Sequence, residues 1–308
     1  MSHSRSTSEI QVCSTIFHSI LSSSIINQPE APSRSIIDIP FTMPAPMSLD
    51  SITDINLLSR FLACSELQDL SSCHPVDYIV ICVSAVFHQA EVLFRVLEEN
   101  PNLTKTLVLC GGKGHSTPLI YDAVAEDATY HPLHDEITGL PEARVLEKIM
   151  QRYFNIPAIT AEGCRILIED QSTNCSANAI ECRKILEACG ATAPKRMILI
   201  QDPTMQTRTL AAFSKVYSDL SRPPEILSCP IFIPKMGLSP SGSLLYDVQD
   251  VAEEELWEHS RFFGLIMGEI PRLRMYGPEG TNSIVHVAIP EEVEQAWRRL
   301  QDVLESKR

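Results

Sequence analysis

The sequence predicts an α/β protein: a parallel sheet flanked by helices, with a smaller, mainly helical C-terminal part. Three observations predict it. Short apolar, β-branched runs recur along the chain, as strands buried on both faces do. Each is followed by a stretch with helical spacing of its apolar residues, which calls for parallel pairing with crossovers. Polar and glycine residues gather where those runs end, and not elsewhere. Together these describe a Rossmann-like layout.

Taken in order, "SITDINLLSRFLA" places Ile52, Ile55, Leu58 and Leu62 on one helical face, with Thr53 or Asp54 near its cap. "DYIVICVSA" reads as the first strand and "AEVLFRVLEEN" as a helix. "KTLVLCGG" is a second strand, followed by a short helix from Pro118 to about Ala125. "PEARVLEKIMQRYF" is a helix with proline in its first turn. "CRILIED" is a strand, and "NCSANAIECRKILEACG" a helix closed by Gly190. "KRMILIQD" is the next strand and "TMQTRTLAAFSKVYSDL" its helix. Beyond residue 222, the proline-rich "RPPEILSCPIFIPKMGLSPSGS" holds one more strand within loops. "VAEEELWEHSRFFGLIMGEIPRL" reads as helix, "SIVHVAI" as a strand and "EEVEQAWRRLQDVLE" as a terminal helix. The expected division is a loosely attached extension over residues 1–48, an α/β domain over 49–225, and a capping segment over 226–308.

Composition narrows the function classes. The chain has 308 residues, 44% of them hydrophobic and 21% charged, as in an ordinary globular protein. Its formal net charge of −14 argues against nucleic-acid partners, which require basic patches. No apolar run reaches the length of a transmembrane helix. Ten scattered cysteines form no CxxC pair, and several sit inside apolar runs, as reduced buried thiols do. A cytoplasmic location is the expectation.

In open parallel sheets ligands bind beyond the carboxyl ends of the strands. Strand one ends near Ser84. Strand two runs into Gly111, Gly112, Lys113, Gly114, His115, Ser116 and Thr117. Strand three runs into Glu169, Asp170, Gln171, Ser172, Thr173 and Asn174. Strand four runs into Gln201, Asp202, Pro203 and Thr204, with Arg208 a turn further on. Each junction opens a helix whose first N–H groups are unpaired. Glycines would let those groups approach an anionic or strongly polar ligand closely. On this reading, at least one of Gly111 and Gly112 takes φ > 0 or shows its bare backbone to the ligand.

The same junctions have blander uses. Thr117 before Pro118, and Ser172, Thr173 and Asn174, are good caps. Glu142 complements a helix dipole, or bonds a ribose or amine of a ligand. Glu169 and Asp170 either cap the following "STN" or hold ribose hydroxyls. Arg208, unfavourable near a helix start, pairs with Glu169 or Asp170, or with a ligand. Asn174 and Asn178 share one helix face. "GHSTP" departs from the G-x-S-x-G elbow because residue 118 is proline, so an esterase is a minor reading. His131 and His134 lie in an expected loop and are read as solvated, with no metal.

"GGKGHSTPLI", "EDQSTNCSANA", "QDPTMQTRTLAAF", "GEIPRLR" and "IVHVAIPEEV" resemble the YdcF-type proteins of bacteria, within the wider SanA/ElyC group known as domain of unknown function 218. The similarity spans roughly residues 50 to 300. It implies a Rossmann-like domain that binds S-adenosylmethionine, without an assigned reaction. It marks Gly111, Gly112, Glu142, Glu169, Ser172, Thr173, Asn174, Asn178 and Arg208 as pattern positions. Where the broader family carries a histidine three residues before the arginine, this chain has Met205, as the YdcF branch does. The expected function is thus small-molecule binding. The alternative is a transferase or hydrolase of phosphate or ester substrates, with His115 as its base.

Overall fold

The computed structural model describes residues 47–190 and 194–305; the extension expected over 1–48 lies almost wholly outside the described residues. Helix α1 (Leu49–Ala63) starts one turn earlier than its apolar spacing suggests. Its cap is Ser48, whose Oγ accepts from the Ser51 amide at 3.1 Å, and not Thr53 or Asp54. Asp54 instead faces Arg299 near the C-terminus, accepting at 2.8 and 2.6 Å.

The α/β unit follows: β1 (Val76–Cys82), α2 (His88–Glu99), β2 (Thr104–Cys110), α3 (Thr117–Glu126), α4 (His134–Ile137), α5 (Glu142–Tyr153), α6 (Ile156–Ile159), β3 (Arg165–Glu169), α7 (Cys175–Ala188), β4 (Arg196–Ile200), α8 (Gln206–Val216) and β5 (Glu225–Ser228). His131–Leu133 form a 3-10 turn leading into α4, so the expected loop there is helical. The five strands pair in parallel in the order β3-β2-β1-β4-β5. The strand order reverses direction between β1 and β4, the switch point where doubly wound sheets bind ligands.

Alternate side chains of each strand serve opposite faces. Ile79, Ile81, Leu107, Leu109, Ile198 and Ile200 meet α2 and α5 in one core cluster. Val80, Cys82, Val108, Cys110, Met197 and Leu199 meet the other, with α1, α7 and α8. Burial on both faces explains why these strands read as continuous apolar runs.

The remaining chain supplies an antiparallel hairpin, β6 (Met236–Leu238) and β7 (Leu244–Tyr246), then α9 (His259–Tyr276) and α10 (Glu291–Glu305). β5 straddles the boundary expected at 225/226, and the apolar faces of α9 and α10 enter the same core as α1, α7 and α8. The strand expected over "SIVHVAI" is not one. Ile284 is fully buried, but the segment bonds helix α8, with the Val285 amide donating to Ala211 at 3.2 Å. Alternating apolar residues report one-sided burial, and a helix surface provides that as well as a sheet does.

Pro271 lies inside α9 and lacks the N–H that would bond the Met267 carbonyl. Trp297 of α10 takes up that carbonyl, its indole N–H donating at 2.9 Å. Among the described residues no helix is long and apolar enough to cross a membrane. The nine cysteines among them are all free thiols.

Candidate functional site

The strand-end residues singled out by sequence assemble into two hydrogen-bonded knots. The first joins the ends of β2 and β3. Glu169, 3% exposed, accepts from the amides of Gln171 and Ser172 at 2.7 and 2.9 Å. It also accepts from Ser172 Oγ at 2.6 Å and from the Cys110 thiol at 3.2 Å. Burial pushes the Cys110 thiol well above its ordinary value, and its Cys182 and Cys82 neighbours push it further, which keeps it a donor. Four acceptances fill a carboxylate's capacity. Glu169 therefore holds the loop and has no free lone pair for ribose hydroxyls.

The glycines serve the same knot. The Gly111 amide donates to the Glu169 carbonyl at 2.9 Å, the Gly112 amide to Ser172 Oγ at 3.0 Å, and the Gly114 amide to Thr117 Oγ1 at 2.8 Å. The carbonyls of Gly111 and Gly112 accept from the first amides of α5, at Ala143 (2.7 Å) and Glu142 (2.9 Å). Neither Gly111 nor Gly112 takes φ > 0: the positive-φ glycines are 139, 163, 190 and 242. A Cβ on Gly112 would lie 2.0 Å from the Ser172 carbonyl oxygen. The glycine is required by close approach of two loops, and the amides of all three glycines are taken by the protein's own groups.

Glu142 stands beside this knot with half its carboxylate unused. Oε1 accepts from Thr117 Oγ1 at 2.9 Å; Oε2 accepts from no described residue. The side chain is half-buried against Gly111. Burial raises its pKa, and the Thr117 hydrogen bond only partly opposes that. His115 and Ser116 are exposed on the adjoining turn, and Thr173 and Asn174 on the facing loop. Asn174 caps α7, its Oδ1 accepting from the Ala177 amide at 2.9 Å. The Asn178 side chain, one turn along, is half-buried and bonds no described residue.

The second knot lies at the switch point. Asp202, 4% exposed, accepts from the Thr204 amide (2.9 Å), Thr204 Oγ1 (2.6 Å), Ser84 Oγ (3.0 Å) and Trp257 Nε1 (3.2 Å). Burial raises its pKa, and the bonds from Thr204, Ser84 and Trp257 oppose the rise. Gln201 Oε1 accepts from the Asp202 amide at 2.7 Å. Trp257 had no signal in the sequence beyond being a tryptophan in an acidic stretch that reads as helix, and it lies outside the helix, between the 3-10 turn Glu253–Glu255 and α9.

Two further expectations are corrected. Arg208 does not pair with Glu169 or Asp170. Its guanidinium forms a two-point bond with Glu269 of α9, at 2.6 and 3.0 Å, and lies 5.7 Å from the Tyr276 ring. Asp170 is taken by Arg144 Nε at 2.7 Å and Gln171 Nε2 at 2.5 Å. The partner of Arg208 comes from a helix 61 residues away, and no local pattern announces it. Among the described residues, no group of three or more His, Cys, Asp or Glu side chains is placed to hold a metal ion. No protein-family model matches the chain.

Proposed function

We propose that this chain is a YdcF-like protein that binds S-adenosylmethionine, or a similar nucleotide-like molecule, at the carboxyl edge of its sheet. The observation that carries the reading is Glu142, a half-buried carboxylate with one oxygen unpaired beside an exposed polar turn. Such an oxygen suits a ribose hydroxyl or a ligand amine, and Ser116, His115 and Thr173 are exposed on the neighbouring loops. The glycine amides are already taken within the protein, so the ligand is held by Glu142 and the polar turn beside it, not by those amides.

Calorimetric titration of the protein with S-adenosylmethionine, S-adenosylhomocysteine and ATP tests this. The expected result is binding of the first two, weakened about tenfold or more by Glu142→Gln, which is about 1.4 kcal/mol. Failure of all three to bind at millimolar concentration, or equal binding by the variant, would overturn it.

A further inference from the structure

Helix α2 starts at the switch point, and its first amides lack partners among the described residues. Its N-cap position is Phe87, which has no capping side chain. The backbone N–H groups of Phe87, His88 and Gln89 donate to no described residue. Gln89 is 2% exposed. Its Nε2 donates to the carbonyls of Gln201 (2.6 Å) and Pro230 (3.1 Å), which fixes the orientation of the amide. Its Oε1 is left buried with no partner. Gln89 lines, with Ser84, Phe87 and Leu146, a cavity of about 10 Å³, room for about one water.

The segment packed against the first turn of α2 is itself strained. Pro230 accepts from Gln89, and the Phe232 ring packs edge-on against His88 at 5.8 Å and near Trp257 at 6.1 Å. Between them Ile231 has φ 72°, a left-handed conformation that a β-branched residue adopts only under strain. Outliers of this kind gather at ligand clamps and switch segments.

We propose that residues 230–232 form a strap over a binding site for a small α-amino acid with an apolar side chain, at the N-terminus of α2. The free amides take the carboxylate, because they are donors at the positive end of a helix. Gln89 Oε1 takes an N–H of the ammonium, the donor it lacks. Val86, Phe87 and Leu146 offer the side chain an apolar wall. The present cavity holds only about one water, so on binding the strap moves aside and Ile231 leaves its strained conformation; the Pro230 carbonyl releases Gln89 Nε2, which the Gln201 carbonyl still orients. The site stands independently of Glu142 and of the nucleotide-like ligand.

The test is calorimetric titration of the full chain with L-leucine and L-methionine, then with L-leucinamide, which lacks the carboxylate, and 4-methylpentanoate, which lacks the ammonium. The expected result is that an amino acid binds and that both truncated analogues bind about tenfold or more weakly. Phe232→Ala, which loosens the strap, should tighten amino-acid binding about threefold or more by raising the open population. Binding of neither amino acid overturns the site, since the cavity then houses a water only. Equal binding of an analogue, or an unchanged affinity in a folded Phe232→Ala, also overturns it. Should that variant lose its cooperative melt, the analogue series on the wild type decides. Amino-acid binding that survives Glu142→Gln, whatever S-adenosylmethionine does, supports the site and separates it from the Glu142 reading.

Discussion

At the residue scale, Gly112 shows how a motif can be conspicuous for a reason other than its first reading. Its hydrogen atoms lie where the Ser172 backbone passes, so any side chain there forces two loops apart. Gly112→Ala should therefore cost stability, about 1–3 kcal/mol or more, as overpacking does. Urea unfolding checks this; an unchanged midpoint would show that the loops part freely. Glu142 carries a different signature. Its native pKa is raised by burial, so the folded state keeps this proton to higher pH than the unfolded chain does. That contribution to stability is full below the ordinary carboxylate value and is lost as pH rises through the raised native value. Glu142→Gln removes it. The difference in urea midpoint between variant and wild type should move in the variant's favour across that window and stay level above it. A difference constant with pH would refute the assignment.

At the scale of elements, α9 and α10 are joined by a repair. Pro271 leaves the Met267 carbonyl without its helical donor, and the Trp297 indole supplies one. Trp297→Phe should cost about 0.5–1.5 kcal/mol for the lost bond, beyond any change in packing. In a Pro271→Ala background the new backbone N–H satisfies that carbonyl, and the cost of Trp297→Phe should shrink. A double-mutant cycle by urea unfolding measures the coupling; additive effects would mean the indole bond is incidental. Helix α9 was legible from apolar spacing, as were α2, α5, α7 and α8, though the expected helix from residue 251 begins only at His259. The "SIVHVAI" segment was misread because its alternation of apolar residues does not say whether a sheet or a helix lies alongside.

At the scale of the whole molecule, the C-terminal segment is built into the α/β unit through buried polar contacts. Trp257 reaches Asp202, and Glu269 reaches Arg208. Glu269 is 1% exposed, and Arg272 also donates to it at 3.1 Å. Removing one partner of a buried pair is costly, about 3–5 kcal/mol, because the other charge stays desolvated. Arg208→Met should show a loss at or below the lower end of that range, because Arg272 still pairs with Glu269, and Arg208→Met with Glu269→Leu should recover most of it. Thermal and urea melting of the three proteins tests this. If the double variant is as unstable as the single, the pair contributes more than mutual compensation.

The sequence by itself determined the sheet and its class. Strands buried on both faces must be apolar throughout, and crossover helices must show one apolar face, so both patterns are written locally. It also pointed to the ends of the strands, because tight corners draw glycine and capping residues. It could not say which groups those residues would bond. The amides of Gly111, Gly112 and Gly114, the carboxylates of Glu169 and Asp202, and the guanidinium of Arg208 all find partners within the protein. Several of those partners are brought by segments tens of residues away. Only the tertiary structure decided which polar groups were spent on the fold and which, like Glu142 Oε2 and Gln89 Oε1, were left over. A hydrogen bond depends on position in space, and the residues that supply it need share no pattern along the chain.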